Sequence, residues 1–152
     1  MAYTTTEGRR ELLYLLAEAT AQLGRALGSL GEAYEKLDEQ TADRLEEELF
    51  GPLQRAFGRA QRLHAGFAER YGLPGRAFGA DSSGLPSTGA AGFIEEAVFA
   101  LNEAAASLVT LQESDPWTEV GDDELRSGVA EIRRVVDPLP HQARGLVRTL
   151  GR

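Results

Sequence analysis

The sequence has no cysteine, one lysine (Lys36), one tryptophan and two histidines among its 152 residues. Without cysteine there is no disulfide, no thiolate metal site and no cysteine nucleophile. No stretch approaches the roughly 18 consecutive apolar residues of a membrane-spanning helix. The opening Met-Ala-Tyr-Thr-Thr-Thr-Glu lacks the basic-then-apolar order of a secretion signal, so the chain reads as soluble and cytoplasmic. Gly-x-x-x-x-Gly-Lys-Ser/Thr, Gly-x-Ser-x-Gly and His-Glu-x-x-His are all absent, which removes the usual phosphate-cradling, hydrolase and metalloprotease arrangements. A di-iron bundle needs Glu-x-x-His, but the residue three before His64 is Gln61 and His141 follows Pro140. No metal, cofactor or catalytic residue is expected.

What is present is an ordinary globular composition, 42% hydrophobic and 26% charged, in a chain long enough for one domain spanning 1–152. The net charge of −8 argues against general nucleic-acid binding, which depends on Lys and Arg neutralising phosphates. From Leu13 the apolar positions fall at Leu16, Leu23, Leu27, Leu30, Tyr34 and Leu37, interrupted only at Thr20. This spacing predicts a helix over about 6–38. Beside that seam, Ala17, Ala19, Gly24, Ala26, Gly31 and Ala33 predict close approach by a neighbouring helix.

Leu45, Leu49, Leu53, Ala56, Ala60, Leu63 and Phe67 predict a second helix over about 42–71, with Thr41 as its N-cap and a kink at Gly51-Pro52. Residues 72–89 hold five glycines and two prolines without periodicity, which makes them a long loop, either functional or disordered. A third helix is expected over about 90–114, stopped by Pro116, and a fourth over about 122–150, kinked or broken at Pro138 and Pro140. Trp117, between them, is expected to cap the core. The resulting expectation is all-α: an antiparallel up-down-up-down four-helix bundle.

Charge is unevenly distributed along the chain. Residues 1–50 carry five basic and eleven acidic groups, 51–76 five and one, 77–125 none and ten, and 126–152 six and two. In an up-down-up-down bundle the basic ends of the second and fourth helices would meet at one pole, with Arg62, Arg70, Arg144 and Arg148 beside Arg9 and Arg10. The acidic runs, including Glu46–Glu48 and Asp122–Glu124, would gather at the other. Along the second helix Phe50, Phe57, His64 and Tyr71 recur every seven residues, either as core filling or as an exposed interaction stripe. With the four arginines they form the candidate interaction surface.

Residues 30–37 (Leu-Gly-Glu-Ala-Tyr-Glu-Lys-Leu) and 44–54 (Arg-Leu-Glu-Glu-Glu-Leu-Phe-Gly-Pro-Leu-Gln) resemble part of the BAR superfamily. That resemblance covers about 25 residues and implies a curved helical dimer on anionic membranes. The chain departs from the pattern in its short later helices, its Gly/Pro-rich loop and its sparse basic clusters. Arg134 and His141 also resemble the Arg-x6-His spacing of HEPN ribonucleases, although Pro138 and Pro140 interrupt it. The expected function is non-catalytic association with itself or with a protein partner, and the alternative is a BAR-like dimer on a membrane surface. A third possibility, a small-molecule site, requires His64 or His141 to line a cavity under the 72–89 loop.

Overall fold

The computed structural model describes residues 4–82, 84–85 and 89–150. Among them the structure is all-helical: α1 (Thr5–Tyr34), α2 (Glu39–Leu45), a π-helical turn (Glu46–Phe50), α3 (Gly51–Arg70), α4 (Gly89–Glu113), α5 (Asp115–Val120), α6 (Asp123–Val136) and α7 (Leu139–Leu150). No described helix is long and apolar enough to cross a membrane.

In α1, Leu12, Leu16, Leu23 and Leu30 lie on the buried face. Thr20 interrupts this seam without an unsatisfied group, because its hydroxyl donates to the Leu16 carbonyl at 2.8 Å. The second helical segment begins earlier than the sequence suggested. Asp38, not Thr41, is its N-cap, accepting from the Thr41 N–H at 2.8 Å. A carboxylate at that position also complements the helix dipole.

Pro52 does not stop the segment. Preceding it is the π turn, closed by an i→i−5 bond from the Gly51 N–H to the Glu46 carbonyl, which widens the helix where proline would otherwise crowd the turn before it. The fourth segment does break, at Asp137-Pro138, and Pro140 sits in the first turn of α7, where a missing N–H costs little. The short helix α5 was not anticipated; Trp117 within it packs against the core as expected.

Contacts at the ends of the helices fix their directions. Arg9 near the start of α1 stacks over the Tyr71 ring beyond the end of α3, and Tyr71 donates to Asp122, the cap of α6, at 2.7 Å. This end also holds α5, which packs on α1 and follows directly from α4. At the opposite end Lys36 lies over the ring of Phe93, near the start of α4. Thus α3 and α4 both run toward the α5 end, and the chain between them must travel the length of the molecule. The order is up-down-down-up, which corrects the alternating order expected from the sequence.

The crossover leaves α3 through Gly72, whose φ of 64° permits the left-handed turn. Its N–H reaches toward the Glu69 carbonyl at 3.4 Å, and the Leu73 N–H donates to the Ala68 carbonyl at 2.8 Å, closing the helix as a Schellman motif. The most extensive helix contact joins α1 and α4, elements far apart in sequence. Next come α3 with α6, α1 with α3, and α4 with α7. Gly128 lets α6 approach α3 closely, since a Cβ there would fall 2.6 Å from a Leu63 methyl.

Candidate functional site

Of the places on the molecule that combine polar groups with accessible apolar surface, two bear on function. The first is the crossover strap, residues 72–82 together with 84–85. It lies along α1 over α3, and the glycines of α1 determine how deeply it sits. A Cβ on Gly24 would collide with the Gly79 carbonyl oxygen, and one on Gly28 would come within 2.6 Å of the Asp81 and Ser82 backbone. These glycines therefore admit the strap backbone; for Gly24 this replaces the neighbouring helix that the sequence implied. Ser29 and Ser82 hydroxyls meet at 3.2 Å, and the Gly84 N–H donates to the Ser82 hydroxyl at 3.0 Å.

Phe78 anchors the strap. Its ring stands edge-on to the His64 imidazole, 5.1 Å between centroids, with the Arg76 guanidinium 4.8 Å from its own centroid. His64 is only 2% exposed, and its Nδ1 is buried with no hydrogen-bond partner among the described residues. Burial pushes the imidazole below its ordinary value, and the nearby Arg76 charge adds to the effect. Around this histidine α1, α3 and the strap leave an open cavity of about 330 Å³, lined among others by Arg10, Tyr14, Leu73 and Arg76.

The second place is the outer face of α4. Phe99 is 65% exposed and stands between two grooves. The α1 side is lined by Gln22, Arg25 and Ser29. On the α7 side, Asn102, Arg144, Val147 and Arg148 line the other. Arg25, Arg144 and Arg148 make no ion pair with any described residue.

The candidate surface read from the sequence is dispersed by the fold. Phe57 and His64 are buried, and Phe50 and Tyr71 are half-buried against the core. Arg62 is exposed on α3. Arg70 is engaged internally, with Asp122 at 2.8 Å and with Glu124, while Tyr71 donates to the same Asp122. Burial alone would push the Asp122 carboxyl up. Hydrogen bonds from Tyr71, the Leu125 N–H and Arg70 outweigh burial and hold it below its usual value. Arg144 and Arg148 sit at the other end, beside Glu95 near the start of α4.

The expected separation of charge into two poles fails for the same reason: the crossover places Asp122 and Glu124 next to Arg70. Arg152 lies outside the described residues. Arg134 and His141 are exposed on α6 and α7, on either side of the Pro138 break.

Phe99, Tyr14, Arg10, Arg25 and Arg76 were not singled out from the sequence for the two places they line. Phe99 had a signal, a large aromatic off the Ile94-Val98-Leu101 seam. The others depend on the crossover and had none. Among the described residues no cluster of three or more His, Asp or Glu side chains could hold a metal ion. No protein-family model matches the chain, and no curated protein or solved structure matches it.

Proposed function

We propose that the chain is a four-helix bundle with one crossover connection and that it acts, without chemistry of its own, by self-association through the α4 face around Phe99. The observation that carries this reading is the exposure of Phe99 between two grooves. Removing an aromatic ring of this exposure from water is worth roughly 2 kcal/mol. A groove on each side offers a place for the corresponding ring of a second copy.

The charges around the ring favour a second copy as partner. A two-fold interface uses one patch twice, so the patch must complement itself. This face carries exposed Glu95 and Glu103 alongside Arg25, Arg144 and Arg148, none of which pairs with a described residue. A rotated copy would present carboxylates to guanidinium groups.

Light scattering at about 100 μM, at low and high salt, tests the reading against typical association strengths. The wild-type chain is expected to be a dimer and Phe99→Glu a monomer with an unchanged melting temperature. A wild-type monomer at both salts, or a Phe99→Glu dimer, would overturn it. Co-sedimentation of a monomeric chain with anionic vesicles would favour the membrane-surface reading instead.

A further inference from the structure

The cavity at His64 has a character that self-association does not use. Every charged group lining it is cationic or can become so: Arg10 from α1, Arg76 from the strap and His64 from α3. The phenol of Tyr14, 59% exposed, completes the titratable groups, and no carboxylate lines the cavity. Neither Arg10 nor Arg76 makes an ion pair with a described residue. Two guanidinium groups over a shared hollow form an anion-attracting arrangement, because their planar donors match a carboxylate. The remaining wall is apolar and includes Leu73 and Pro74. Inorganic anions would leave that wall wet, whereas a ligand with an aromatic body would cover it. His64 itself has a buried Nδ1 with no hydrogen-bond partner among the described residues.

We propose that this cavity binds a small aromatic carboxylate, its anionic end on Arg10 and Arg76 and its ring on Tyr14 and Leu73 beside His64. The site exists only because the chain crosses over: Leu73, Pro74 and Arg76 reach α1 as part of the strap. Binding would therefore also pin the strap to the bundle. The bound anion would offset the Arg76 charge while the ring added to the burial that is the larger cause of the lowered value, so the His64 titration would respond to binding.

Benzoate is a suitable probe, followed through the His64 ring signals by NMR, with benzyl alcohol and inorganic sulfate as controls. Benzoate is expected to saturate with a Kd of about 1 mM or tighter and to shift the His64 ring signals. Arg10→Gln and Arg76→Gln are each expected to weaken it by about five-fold or more, corresponding to a lost charge-assisted bond, with benzyl alcohol and sulfate binding more weakly than benzoate. Both arginines are exposed, and a melt of each variant verifies that it still folds. Absence of saturation at about 10 mM benzoate would overturn the proposal. So would benzoate binding that survives the double arginine change, or equal binding of either control.

Discussion

The two sides of α1 are built differently, although both depend on small residues. Toward α4, the most extensive contact between described elements, helix meets helix. Ala19, Ala26 and Ala33 are buried on α1, and Ala97, Ala100 and Ala104 on α4. Toward α3 the gap above Gly24 and Gly28 receives the backbone of the strap. Alanine permits close approach and still contributes a methyl group to the core. Glycine goes further and makes room for a peptide chain, at a cost in helix propensity. Substitution therefore separates the two uses of small residues in one helix.

The largest effect is expected from Gly24→Ala combined with Gly28→Ala. Each added methyl meets strap backbone, which cannot rotate away as a side chain could, so the pair should cost about 2–6 kcal/mol by overpacking in denaturant unfolding. Phe78→Ala tests the strap from the other side. It removes the edge-on ring contact to His64 and should cost about 1–2 kcal/mol, with faster hydrogen exchange in residues 73–82 than in α4.

Gly31→Ala sharpens the comparison by its opposite sign. Only the Phe50 ring comes near a Cβ there, at 4.0 Å, so the change should stabilise the chain by about 0.5–1 kcal/mol. Equal gains at Gly28 and Gly31 would mean that helix propensity, not the strap, decides the outcome at both.

A further effect is that of pH. The His64 pKa is lowered on folding, so the neutral imidazole is favoured in the folded state and its contribution is fully present above the ordinary value of 6.5. Stability then falls as the pH drops below that value, by at most about 1.4 kcal/mol per pH unit for one proton. Unfolding at pH 7.5 and 5.5 should show a steeper loss for the wild type than for His64→Gln. Parallel losses would remove His64 as the source.

Local features of this fold were largely legible. Leucine spacing located the long helices, Pro138 marked a break, and Asp122 at the head of the last segments is a cap whose side chain accepts from the Leu125 N–H at 2.8 Å. Choosing Thr41 over Asp38 as a cap was an error of three residues, since either type can cap and only the backbone decides. The direction of α4 was not legible. It is set by contacts such as Phe78 on His64 and Gly79 on Gly24, which join residues far apart in sequence, and a Gly/Pro-rich segment carries no periodicity to report them. Reversing α4 in turn redistributed the arginines, so the members of the candidate surface lie at different ends of the molecule, Arg70 beside Asp122 and Arg144 and Arg148 beside Glu95. Gly24 was readable as small but not as a seat for backbone, because helix contact and strap contact ask for the same residue, and Gly28 was not singled out at all.

The crossover also bears on how quickly the molecule can assemble. Its largest interface joins α1 to α4, with α2, α3 and the whole strap in between, so the chain must close a long loop before that burial stabilises anything. An alternating bundle of equal length could gain stability from each hairpin in turn. Here α1 and α3 can pair early, but the face of α1 that receives α4 stays wet until the strap has been laid down. Folding should accordingly be slower than that of helical bundles dominated by local contacts, with a search for strap placement as its slow event.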